Sequence, residues 1–297
     1  MSKRGKSITL FLMDGSAAGR IKCTLANWTG VAYKIPRTEL DNCRERSDLK
    51  QSGVYFLFGT SDDTGKNVVY IGQAGARKKG EGILSRLQEH KRNPDKDYWT
   101  EAVIFTTSND SSGATEISYL ENRFCNMAIE AKRYVVKNGN DPAPGHITEE
   151  KESELEEFID NSRIIMGTLG HRVFEPLVDD MDSNFQDEAM DNDEQLLFFK
   201  IKPRKSKLEI KASGKQTDEG IVVLKGSMIS TTENENLSLE VKKARKKALI
   251  DENGILQEDT LFHSPSSAAA FVAGRPFSGN VAWKNQAGKT LNEIESN

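Results

Sequence analysis

Gly53-Val54-Tyr55-Phe56-Leu57-Phe58, then Val68-Val69-Tyr70-Ile71-Gly72, then Ile83-Leu84-Ser85-Arg86-Leu87-Gln88-Glu89-His90 is the stretch whose reading decides the fold. The first two segments are short, apolar and rich in β-branched and aromatic residues. A polar loop around Asp62-Asp63-Thr64-Gly65 separates them. The pattern predicts two strands paired as a hairpin, each carrying one tyrosine. The third segment predicts a helix. Ile83 and Leu87 form its apolar stripe, and Arg86 and His90, four residues apart, share a neighbouring face. Residues 50–96 hold nine Lys/Arg against five Asp/Glu, including Arg77-Lys78-Lys79 and Lys91-Arg92. Two tyrosines, an arginine and a histidine beside a basic patch are candidates for a site. By residue type alone they are also compatible with ordinary strand tyrosines and a surface arginine.

The chain has 297 residues, enough for two domains or one large one. Its net charge of −4 excludes a simple polycation that coats nucleic acid. No apolar run is long enough to span a membrane, and the amino terminus lacks the pattern of a leader, so a cytoplasmic location is expected. Cys23, Cys43 and Cys125 are dispersed, without a CxxC pair, which fits buried or free thiols better than a zinc site or a disulfide set.

Around the organising stretch, residues 7–12, 21–25 and 30–35 read as strands, and 38–49 as a short helix. Residues 102–106 read as a further strand. A long helix is expected over about 115–135, with Ile117, Leu120, Phe124 and Met127 as its core stripe. Glu121 borders that stripe. A carboxylate there is paired, snorkels, or holds a metal. Glu116, on the same helix, is its rival. Asn138 lies in the turn cluster Asn138-Gly139-Asn140-Asp141-Pro142. A second helix begins after Thr148 and ends at Gly170.

Nine acidic residues and no Lys or Arg fall between Val173 and Glu194, the composition of a tether. Beyond it come short strands, a basic helix over 238–252 containing Lys242-Lys243-Ala244-Arg245-Lys246-Lys247, a strand over 255–262, a helix capped by Ser264, and a strand over 280–283. The expected organisation is therefore a domain over 1–172, an acidic linker over 173–195 and a small α+β domain over 196–297. The basic helix is either a second nucleic-acid contact or the solvated face of a helix on a small sheet.

Gly53-Val54-Tyr55 and Tyr70-Ile71-Gly72, followed by Arg86, His90 and the Tyr119-Leu120-Glu121-Asn122-Arg123-Phe124 segment, resemble the core of the GIY-YIG nuclease superfamily. Val54 departs from the isoleucine of the first motif, and the spacer between the motifs is long. Asn27-Trp28-Thr29-Gly30 is similar to a preface found in one branch. Lys225-Gly226-Ser227, Phe262, Ser264-Pro265-Ser266-Ser267-Ala268-Ala269, Gly279 and Trp283 look like a domain of unknown function that follows this nuclease in that branch.

The resemblance implies a small layered α/β domain, its central antiparallel sheet flanked by helices, joined to the α+β tail. It also implies a DNA endonuclease that uses Mg²⁺ or Mn²⁺. Tyr55 would act as general base, tuned by positive charge or working as a relay, and Arg86 would neutralise phosphate. Tyr70 and His90 would position water or phosphate, and Glu121 would hold the metal. Gly53, Gly72 and Asn138 would support the site, while Arg77, Lys78, Lys79, Lys91 and Arg92 would face duplex or branched DNA. Two alternatives stay open: a catalytically silent nucleic-acid binder, and a regulatory protein whose tail binds a partner or a second copy.

Overall fold

The computed structural model describes residues 4–75, 82–109, 112–139, 145–178, 196–202 and 209–296. The chain divides into two compact units, Met1–Pro176 and Leu177–Asn297. Both mix sheet and helix, with helices flanking the sheets.

The first unit is built on a seven-stranded sheet of order β1-β2-β3-β6-β4-β5-β7. Its strands are β1 (Ile8–Leu12), β2 (Ile21–Leu25), β3 (Gly30–Pro36), β4 (Gly53–Thr60), β5 (Asn67–Ala74), β6 (Trp99–Thr107) and β7 (Val135–Val136). β4 and β5 form the expected hairpin, pairing Tyr55 with Gly72 and Leu57 with Tyr70. β4 also pairs with β6, so it is central and buried on both faces. That explains its unbroken apolar sequence, since alternation marks only strands with one wet face.

Period-2 geometry sends alternate side chains into two cores. Val54, Phe56 and Phe58 join Val69, Ile71, Val103 and Phe105 on one face. This face is covered by α2 (Ala114–Ala131) through Ile117, Leu120 and Phe124, and by α3 (Glu149–Thr168) through Leu155, Phe158 and Ile159. Phe56 meets Phe105, Phe124 and Phe174 edge-on, with ring centroids 5.3–5.9 Å apart. Tyr55 and Leu57 point the other way, with Tyr33, Ile35 and Ile104, against Ile83, Leu84 and Leu87 of α1 (Ile83–Arg92).

Several sequence expectations shift. The segment 38–49 forms two 3₁₀ turns, Arg37–Cys43 and Ser47–Leu49, anchored by Leu40, Cys43 and Leu49. α2 stops at Ala131 instead of running to 135. Lys132 adopts a left-handed conformation (φ 52°), and Val135–Val136 leave the helix to pair in parallel with β5. Two β-branched residues gain a sheet ladder there. Asn27 is also left-handed (φ 59°), and Trp28 folds over Gly30 and packs on Phe158. The core continues through Val173 and Phe174. Residues 179–195, most of the acidic stretch, lie outside the described residues.

The second unit is a four-stranded antiparallel sheet of order β11-β10-β9-β8. It comprises β8 (Leu196–Ile201), β9 (Ile210–Thr217), β10 (Gly220–Val223) and β11 (Thr260–Phe262), with α4 (Leu239–Lys247), α5 (Pro265–Ala273), α6 (Gly279–Ala282) and α7 (Leu291–Glu295). Ser264 caps α5 as expected. α5 is buried over Ala268–Ala273, an all-apolar run enclosed by the sheet and its neighbours. The basic helix ends at Lys247, short of the expected 252. The 255–262 strand is confined to 260–262. Residues 279–282 form a helical turn instead of a strand, because the Trp283 ring must enter the core, where Nε1 donates to Pro265 O at 3.1 Å. Among the described residues no helix is long and apolar enough to cross a membrane.

Candidate active site

Tyr55 and Tyr70 lie on neighbouring strands of the face that carries α1, with ring centroids 6.4 Å apart. Gly72 is the cross-strand partner of Tyr55. A β-carbon at Gly72 would lie 2.4 Å from the Tyr55 hydroxyl oxygen, so the missing side chain is what lets the ring cross the strand. Gly53 has a comparable role, since a β-carbon there would lie 2.2 Å from Phe105 O.

α1 delivers the histidine. His90 continues the buried stripe of Ile83, Leu84 and Leu87 and is 3% exposed. Its Nε2 lies 2.7 Å from the Tyr55 hydroxyl, and its ring is 5.3 Å from that of Tyr70. Burial first, then the charges of Lys96 and Arg86, lowers its pKa to about 4, so the imidazole is neutral at physiological pH. Arg86 is half-exposed. It pairs with Glu89 at 2.5 Å and approaches the Tyr55 hydroxyl. Burial drives Tyr55 well above the ordinary tyrosine range. Tyr70 adds to the rise and Arg86 only partly opposes it. Positive charge therefore does not bring this phenol below its ordinary range, and its hydroxyl rests against His90.

Glu121 comes from α2, on the opposite face, and reaches the free edge of β5. β7 covers only Val68 and Val69 of that edge. Lys137 N then donates to Val69 O at 2.8 Å. The Asn138 amide accepts from Ile71 N at 3.0 Å and donates to Ile71 O at 2.7 Å, mimicking one more strand residue. Glu121 follows, hydrogen-bonded to the backbone and side chain of Gln73. Burial raises its pKa, and Arg86 partly offsets this. Tyr55, Tyr70, Arg86 and Glu121 all act on one another electrostatically.

Asn138 is thus a strand-edge clasp that fixes β5 beside Tyr70, with its amide engaged on both sides. Lys91 pairs with Asp41 at 2.8 Å, and Arg92 is exposed. Arg77, Lys78 and Lys79 lie outside the described residues. Glu116 is half-exposed at the start of α2.

Three residues absent from the sequence expectation belong to the constellation. Gln73 holds Glu121 and pairs with Ser118. Lys96 lies over the Tyr70 ring, its Nζ 3.2 Å from the centroid. Tyr98 is pushed up to about 12 by burial and by Tyr70. Nothing in a one-dimensional pattern marks Lys96, which follows a helix-ending proline. Gln73 could have been found from strand alternation, two residues after Ile71.

Residues 203–295 match the family described as a domain of unknown function (DUF4357). Comparison with curated proteins and with solved structures gave no match. The DUF4357-matching region contains the basic helix α4, and the structure divides its charges. Arg245 turns inward and donates to Phe271 O and Ser230 O, with Glu233 at 3.6 Å. Lys242 donates to Glu235 O at 2.7 Å. Lys243, Lys246 and Lys247 are exposed.

Proposed function

We propose that the first unit is a metal-dependent endonuclease of the GIY-YIG type that hydrolyses phosphodiester bonds in DNA. The observation that carries this reading is the Tyr55–His90 contact, 2.7 Å long and buried, with Arg86, Tyr70 and Glu121 around it.

Arg86 binds the scissile phosphate, where its fork can serve two oxygens. Burial is the main cause of His90's neutrality, and charge brought in by the phosphate offsets the positive field of Lys96 and Arg86 that adds to it. His90 Nε2 can then take the Tyr55 hydroxyl proton while Tyr55 removes a proton from the attacking water. The phenol never ionises alone, which burial forbids. Tyr70 walls the water and phosphate seat.

The Glu121 carboxylate suits a hard divalent cation: it is half-buried, its pKa is raised by burial, and the Gln73 amide and the Arg86 charge only partly offset this. Among the described residues no group of three or more His, Cys, Asp and Glu gathers as a metal cage, so the site would be a single carboxylate with waters. Mg²⁺ or Mn²⁺ bound there would supply Lewis-acid stabilisation of the phosphoryl and leaving oxygens.

Cleavage of plasmid and of duplex, single-stranded and branched oligonucleotides by the purified chain tests the reading. Activity is expected with Mg²⁺ or Mn²⁺ and none with chelator. Absence of cutting on every substrate with both metals overturns it in favour of a silent binder.

A further inference from the structure

Lys96 ends a short 3₁₀ turn, Pro94–Lys96, just after α1. Asn93 caps this turn, its side chain accepting from Asp95 N at 2.9 Å. The capped turn brings the lysine back over the site, with its ammonium on the face of Tyr70, 3.2 Å from the ring centroid. The side chain is half-buried, and among the described residues no carboxylate pairs with it.

Its ionisable surroundings are unusual. From α1 come Arg86 and His90, with Glu89 already paired to Arg86. Tyr70, on which Lys96 rests, comes from β5, and around that ring are Tyr55 from β4, Tyr98 from the segment entering β6 and Glu121 from α2. Arg86 disfavours the protonated form of Lys96, and Arg86 and Lys96 together disfavour that of His90. Basic groups that repel one another in a partly buried seat fit an anion, which removes the repulsion. The aromatic shelf holds Lys96 in place without neutralising it.

We propose that Lys96 is a second phosphate-contacting cation, binding a non-bridging oxygen of the same phosphate that Arg86 holds. The identity of the ligand rests on the nuclease reading; the anion seat itself does not. Arg86 offers a planar fork from the solvent side, and Lys96 a point charge from the tyrosine side. Burial, and then Arg86, lowers the Lys96 pKa to about 8. The charged form is present below that value, so phosphate affinity declines as pH rises through about 8.

The test is calorimetric binding of thymidine 3′,5′-bisphosphate and of inorganic phosphate to the full chain in chelator, between pH 6.5 and 9.5. Wild type is compared with Lys96→Met and Lys96→Arg. The Met variant is expected to lose about tenfold or more in affinity at pH 7, along with the decline near pH 8. The Arg variant is expected to restore affinity and move the decline beyond the measured range. Its pH profile remains informative even if the Met variant folds poorly. Unchanged affinity in the Met variant, an Arg variant with the same decline, or no binding by wild type overturns the proposal. A chain that binds phosphate through Lys96 yet cuts no DNA leaves the seat standing and removes the nuclease reading.

Discussion

The Tyr55 hydroxyl lies 2.7 Å from Nε2 of His90, and both side chains are buried. A strand presents the phenol and a helix the imidazole, 35 residues apart in the chain. Neither group serves alone: burial raises the phenol pKa and keeps the imidazole neutral. Both are therefore uncharged at rest, the starting state that the proposed proton path requires. The arrangement avoids the cost of an isolated charge in a dry site.

His90→Asn should therefore lower kcat by about 10²–10⁴-fold, the range for losing a proton acceptor, with DNA binding in chelator little changed. Single-turnover cleavage and separate binding isotherms distinguish the two effects. Equal loss in both would make His90 a packing residue.

The same histidine makes stability depend on pH. Its folded pKa of about 4 lies below the ordinary histidine value of 6.5, so the unfolded chain binds more protons between those values. Stability then rises with pH across that window and is flat above it. Denaturant unfolding should show wild type losing roughly 1–2 kcal/mol between pH 6.5 and 5 relative to His90→Gln. Parallel curves would place the histidine in a solvated setting.

On the proposed nuclease reading, Glu121→Gln should reduce Mg²⁺-dependent cleavage on the order of 10²–10³-fold while keeping DNA affinity in chelator, since Arg86 and Lys96 are untouched. Glu116→Gln should have little effect. Exchange of these outcomes would show that the carboxylate at the β5 edge is not the functional one.

Gly72→Ala places a β-carbon 2.4 Å from the Tyr55 hydroxyl oxygen and 2.5 Å from its ring. The ring must move, which costs about 1–3 kcal/mol and breaks the contact with His90. Thermal unfolding should report the first and cleavage the second. A variant as stable and active as wild type would mean that Tyr55 can relax without cost.

In the second unit, Arg245→Met should destabilise the domain, because two backbone carbonyls lose their donor. Substituting Lys243, Lys246 and Lys247 together by Gln should leave the log–log salt slope of duplex binding within about 1 of wild type. A fall of about 2–3 would make α4 a DNA contact, since each neutralised phosphate contributes about 0.9.

The sequence by itself determined the sheet centre and the helix faces. The apolar run of Gly53–Phe58, the paired tyrosines and the stripe of Ile83 and Leu87 need only local periodicity to be read. The Thr148 and Ser264 caps were legible for the same reason: the side chain that starts the helix is adjacent to it. Tertiary structure decided everything that depends on what a residue meets across the fold. It tied the Asn138 amide to the backbone of Ile71, 67 residues away, and turned Arg245 from a surface charge into an internal donor. It cut α2 short because Val135 and Val136 found a strand edge. It also set the protonation of the site, bringing Lys96 over Tyr70 and burying His90. Charge in a protein follows desolvation and neighbours, and neither is a property of position along the chain.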